Sequence, residues 1–191
     1  MLTIKRKKDT RTVRACTNNC ADIPGGVTVC GAELIPGTIL AEGAAIAKGT
    51  DGLYHVIKTA KVSAAVGTSD TTIKVAKGSQ FKVGDVIMAG VGSKAVAITA
   101  ISKTDASQDV ITIAEALGAT VKEGAIIEQA DKAAAKGAFR YTPVALVGDS
   151  YDVEELGNHL VTAVTIGQFK EAVVPPVSDD IRAALKTIVF I

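Results

Sequence analysis

Hydrophobic and polar positions alternate in short runs along most of this chain, and Gly and Pro cut the runs apart. Val27–Val29 and residues 38–41 read as brief strands between turns at Pro24-Gly25-Gly26 and Pro36-Gly37. Asp51-Gly52 marks a further turn, and a strand follows over 54–58. Period-2 alternation returns in "RYTPVALVGD" and is longest in "HLVTAVTIGQFKEAVVP". There Leu160, Thr162, Val164 and Ile166 fall on one face and Val161, Ala163 and Thr165 on the other. Apolar residues on both faces predict that part of this strand is covered on both sides. Pro175-Pro176 stops it.

The period then changes. Ile181, Ala184, Leu185 and Ile188 follow the i, i+3, i+4, i+7 spacing of a helix with one apolar face. Ser178 is placed to cap that helix, and Asp179 and Asp180 put negative charge in its first turn, where the helix dipole favours it. The spacing predicts one helix over 179–186. It leads into Ile188, Val189, Phe190 and Ile191, which read as a strand covered by the core or by a neighbouring subunit. "ADKAAAKGAF" (130–139) reads as a short helical turn or a linker ended by Gly137.

Residues 62–130 carry an inexact internal repeat. "TTIKVAKGSQFKVGDVIMA" resembles "DVITIAEALGATVKEGAIIEQ", with Ile73-Lys-Val75-Ala76 matching Ile111-Thr-Ile113-Ala114. Each half reads strand, turn, glycine, strand, and "KAVAITAISKT" joins them as a longer alternating strand. Two such units can close into a small β-barrel, which removes exposed sheet edges.

Composition alters this picture in one respect. Aromatic residues are 4% of the 191 and Trp is absent, so the core must be packed from Val, Ile, Leu and Ala. Charge alters it more. Lys5, Arg6, Lys7, Lys8, Arg11 and Arg14 against Asp9 give residues 1–14 a net charge of +5; the whole chain is +1, so the remainder carries −4. A basic segment ahead of an acidic body predicts a flexible interaction arm over 1–20. No aromatic residues are interleaved with its charges, so no specific nucleic-acid partner is expected. No apolar run approaches the ~20 residues of a membrane span, and the basic start lacks the apolar stretch of a signal peptide.

Candidate chemistry is sparse. Cys16, Cys20 and Cys30 are an odd number, and the two histidines, His55 and His159, lie far from them in sequence. Free thiols, no metal site and no cofactor are the expectation. No Ser/His/Asp or Cys/His set has the local context of a nucleophile, and "GVGS" at 90–93 lacks the lysine of a phosphate loop. The Asp179-Asp180 pair is explained by capping. The expectation is a non-enzymatic structural or binding protein.

Two segments carry a resemblance. "IPGTILAEGAAIAKGTDGLYHVIK" is similar to the opening of lambda-type phage head decoration proteins. "PVALVGDSYDVEE…LVTAVTIGQFKEAVVPPVSDDIRAALKTIVFI" is similar to their second half and to phage head fibre proteins; the matching residues are Ala145-Leu146-Val147, Gly167-Gln-Phe169-Lys-Glu171-Ala172 and Ala183-Ala-Leu185-Lys186. The resemblance implies a mainly β protein with a decoration-like β domain and one C-terminal helix over 21–61 and 136–191; residues 62–135, which a minimal decoration protein lacks, depart from it and are read from the repeat as an inserted small β-barrel. It also implies a homotrimer, made in a bacterial host cytoplasm, that binds the major capsid protein on the outside of the virion. In that setting the basic arm, Lys5, Arg6, Lys7, Lys8, Arg11 and Arg14, would contact the capsid. A carbohydrate-binding adhesion module is the alternative, weakened by the scarcity of aromatic rings to meet sugar faces. A lipoyl- or biotinyl-type carrier is weaker still: Lys48 is its one candidate acceptor and lacks the expected flanking residues.

Overall fold

The structure, a computed structural model, describes residues 13–191. It is mainly β, with one α-helix near the end of the chain. In chain order the strands are β1 (Cys16–Asp22), β2 (Val27–Val29), β3 (Ile39–Leu40), β4 (Ala45–Lys48), β5 (Tyr54–Val56), β6 (Thr59–Lys61), β7 (Thr72–Ala76), β8 (Val86–Met88), β9 (Ala95–Ser102) and β10 (Gln108–Ile113). They continue as β11 (Ile126–Ala130), β12 (Pro143–Val147), β13 (Tyr151–Asp152), β14 (His159–Val161), β15 (Ala163–Phe169) and β16 (Ile188–Phe190), with helix α1 (Asp179–Ala184) before the last.

The first sheet runs β1-β15-β12-β4-β5-β2-β14, with β16 beside β15. β14 and β15 are separated only by Thr162, and β1 and β2 only by the turn at 23–26. Because β1 pairs with β15 and β2 with β14, two bent segments lie side by side and the sheet curls back on itself. Gly26 makes the turn possible: its φ is 74°, and a Cβ there would lie 2.7 Å from the Val161 carbonyl oxygen. Val29, Leu40, Ile46, Ala145, Val147 and Val161 pack on one side of this sheet. Ala45, Ala47, Leu146 and Val164 pack on the other, against Ile181 and Leu185 of the α1 segment. Alternate residues of β4 and β12 therefore enter different cores, which is why "AIA" and "ALV" are apolar without interruption.

The second sheet runs β6-β11-β8-β9-β10-β7 and is a curled half-barrel where a closed barrel was expected; just beyond β6, a single bridge joins Val62 to Val75 of β7. Its interior is aliphatic, built from Ile73, Val75, Ile87, Ile98, Ile111 and Ile127 with one ring, Phe81. Each such side chain removed from water contributes roughly 1.5–3 kcal/mol. The repeat is visible as pairing. β7 lies antiparallel to β10 with Ile73 opposite Ile111, and β8 lies antiparallel to β11 with Ile87 opposite Gln129.

Three expectations are corrected. Residues 16–20, read as part of a flexible arm, form the start of β1 and pair with β15. Of the two readings of 130–139 the helical turn fails and the connecting segment stands, with Ala134 bridged to Ala95 by bonds from each backbone N–H to the other's carbonyl. The second sheet begins at Thr59, ahead of residue 62, because 59–61 pair with β11.

Candidate functional site

The two segments singled out for contact with a partner meet at one place. The Ala15 carbonyl accepts a hydrogen bond from Lys170 N at 2.8 Å, and Cys16 lies opposite Phe169. From the other side, β16 runs parallel to β15 with Phe190 beside Phe169, and Ile191 N donates to the Phe169 carbonyl at 2.9 Å. The root of the basic segment and β16 therefore flank the same end of β15.

Glu42 fixes that root. It is buried, and its two carboxylate oxygens accept from Ala15 N at 2.9 Å and Cys16 N at 3.0 Å. Arg14 reaches across to Asp149 at 2.8 Å, with a longer contact to Glu42 at 3.5 Å. Lys5, Arg6, Lys7, Lys8 and Arg11 lie outside the described residues.

β16 splits by face. Ile188 is buried in the core under α1, and Phe190 is half-buried with the Arg182 guanidinium 4.6 Å from its ring centroid. Val189 and Ile191 are 50% and 60% exposed. Among the described residues no strand pairs with the outer edge of β16. Within a single chain, then, only two of the four residues expected to be covered are covered. An open edge with apolar side chains is a site for pairing with another chain.

The seam between the two sheets holds charge that the sequence did not reveal. Lys58 Nζ, buried, pairs with Asp85 at 2.7 Å, and the same carboxylate accepts from Lys82 N. Burial pushes the Lys58 ammonium below its ordinary value, with Asp85 acting in the opposite direction. Glu128, in β11, is fully buried and accepts the Ser178 hydroxyl proton at the start of α1. The cap is as expected, since Ser178 Oγ also accepts from Ile181 N at 3.2 Å. Asp180 does more than complement a dipole: its carboxylate accepts from Val91 N at 2.7 Å, in the β8–β9 turn. It also stands beside Glu128. Burial first, then the Asp180 charge and hydrogen bond, push Glu128 up to about 7, against the Ser178 bond, which acts to lower it. A cleft of about 240 Å³, lined in part by Leu40, Val56, Lys58, Val174 and Pro175, opens along this seam.

His55 is also buried and sits between two carboxylates, with Nδ1 2.9 Å from Glu33 and Nε2 3.2 Å from Asp51. Its ring stacks on Tyr141, and Arg140 holds the other oxygen of Glu33 at 3.1 Å. Hydrogen bonds from His55 and from Leu53 N hold the Asp51 carboxyl below its ordinary range. Sequence distance gave no hint of this grouping. Pairing of β2 with β5 at Val29 and Tyr54 brings residue 30 to residue 55.

Among the described residues no helix is long and apolar enough to cross a membrane. No family model, curated protein or solved structure matches the chain.

Proposed function

We propose that this chain is a structural, non-enzymatic virion protein of the phage head decoration or head fibre class, which binds the major capsid protein on the outer shell as a homotrimer. One observation carries the reading: the described root of the basic segment, at Arg14–Cys16, and β16 with its open outer edge flank the same end of β15, one on each side. A charged segment and an unpaired apolar edge at one place make a surface suited to another protein, because main-chain pairing supplies affinity and charge steers the encounter. The resemblance of the two sequence segments supplies the class of partner. The second sheet, joined between β5 and β12, then stands as a body added to the attached one.

The test is co-sedimentation with shells assembled from a phage major capsid protein encoded in the same genome. The full chain should pellet with the shells, and less of it should pellet as salt rises, since exposed charge contacts are screened over ~8 Å at physiological ionic strength. Deleting residues 2–14 should leave the melting temperature within a degree or two and weaken binding at least tenfold. Equal binding by the full and shortened chains at all salt concentrations would remove the basic segment from the interface. Full-length chain left in the supernatant would remove the capsid reading itself.

A further inference from the structure

Cys30 and His55 lie far apart in sequence, and Glu33 carries no sequence signal of its own, yet the ligand atoms of the three lie within 4.8 Å of one another. The local fold brings them there. Cys30 precedes a 3₁₀ turn over Gly31–Glu33, a geometry in which side chains at i and i+3 fall on the same side. Cys30 N donates to the Tyr54 carbonyl at 2.8 Å, so the residue before His55 is tied directly to Cys30. Three donors from two backbone segments are thus held by main-chain bonds.

We infer that Cys30, Glu33 and His55 form a binding site for one borderline divalent cation, of which Zn²⁺ is the natural example. A sulfur, a nitrogen and a carboxylate oxygen are the donor types that zinc takes, whereas magnesium and calcium select oxygen alone. With bonds of about 2.0–2.3 Å, a tetrahedral ion needs donors somewhat closer than 4.8 Å, within the reach of side-chain rotation in half-exposed Cys30 and Glu33. The imidazole nitrogen facing Glu33 is Nδ1, and it is the one directed at the ion.

The surroundings fit the same assignment. Nε2 of His55 is engaged by Asp51 at 3.2 Å, the carboxylate–histidine arrangement that fixes the orientation of a metal-binding imidazole. The second oxygen of Glu33 is held by Arg140, which leaves Oε2 for the ion. Gly49 keeps room for the His–Asp pair, because a Cβ there would lie 2.5 Å from His55 Nε2 and 2.6 Å from Asp51 Oδ1. Charge also balances: a thiolate and Glu33 match a divalent ion, and Arg140 matches Asp51. Three protein donors leave a fourth position for water or a group from outside the chain. The ion would staple the 3₁₀ turn to β5.

Cobalt(II) is the probe, because its bond to thiolate absorbs in the near ultraviolet. The reduced full-length chain should bind one equivalent and show that sulfur-to-cobalt band, and one equivalent of Zn²⁺ should displace the cobalt and raise the melting temperature. Cys30→Ser should abolish the band, His55→Gln should weaken binding at least tenfold, and Asp51→Asn should weaken it about 10–100-fold as the orienting partner is lost. Cys16→Ser and Cys20→Ser should bind as the parent does. If His55→Gln fails to fold, half-exposed Cys30→Ser still decides the matter. No binding by the parent, or a band that survives Cys30→Ser, would overturn the assignment.

Discussion

At the scale of single residues, the groups with the most chemistry are ones whose sequence context looks ordinary. Glu128 stands in "IIEQA", an alternating strand that could equally turn its carboxylate to water. It is buried because β11 lies between β6 and β8 while α1 closes over it. Its Oε1 finds no donor among the described residues, and the Asp180 carboxyl, another acceptor, stands beside the residue. A proton on Glu128 turns that opposition into a hydrogen bond. The sign of the consequence follows. Glu128 holds a proton to about 7 in the folded chain and to 4.5 in the unfolded one, so the folded state binds more protons between those values. Its contribution is fully present below 4.5 and is lost as pH rises through about 7. At about 1.4 kcal/mol per pH unit, the span amounts to about 3 kcal/mol. Glu128→Gln, always neutral, should match the parent in stability at pH 4 and exceed it by up to about 3 kcal/mol at pH 8, read by urea unfolding. Parallel stability curves for the two proteins would mean that Glu128 is charged in the fold.

At the scale of elements, the helix and the repeat were legible because their signals are local. Ser178, the first-turn acids and the 3.6-residue period all lie within ten residues of α1. The strands of the second sheet alternate cleanly, as in β7 and β10, where every second residue is buried. Residues 130–139 misled because Ala and Lys favour helices in isolation, while here Gly137 packs so tightly that a Cβ would sit 2.8 Å from that of Ala95. The start of β1 was missed because "CTNNCAD" has no alternation; Glu42 and β15, distant in sequence, hold it. Lys58, Asp85 and His55 were illegible for the same reason, since only the folded chain shows what they face. β16 allows a direct check of the packing. Ile188→Ala should cost about 2–4 kcal/mol, as for other buried large-to-small changes, while Val189→Ala, at a half-exposed position of the same strand, should cost under about 0.5 kcal/mol in the isolated chain. Comparable losses from both would mean that the strand sits differently. At the cap, Ser178→Ala should cost about 1–2 kcal/mol, and more where Glu128 is ionised and loses its donor. Urea midpoints at pH 5 and pH 8 separate the two parts.

At the scale of the whole molecule, the two sheets are joined by specific polar bonds as well as by the chain. Gln80 donates to the Thr38 hydroxyl at 2.8 Å, its carbonyl oxygen accepts from Ile35 N at 3.0 Å, and Thr59 donates to the Pro176 carbonyl at 2.7 Å. With the Ser178–Glu128 and Asp180–Val91 bonds, these span the seam along its length. A second sheet held this way keeps a fixed direction relative to β1 and β16. The central claim is that the β1–β16 side faces a viral shell while the half-barrel is carried by it. Electron cryomicroscopy of shells incubated with the full-length chain tests it most directly. The account predicts added density on the outer surface at threefold or quasi-threefold positions, three copies at each, with β16 and the root of the basic segment against capsid or a neighbouring copy. Bare shells, or density in which the half-barrel makes the contact and β16 faces solvent, would contradict it.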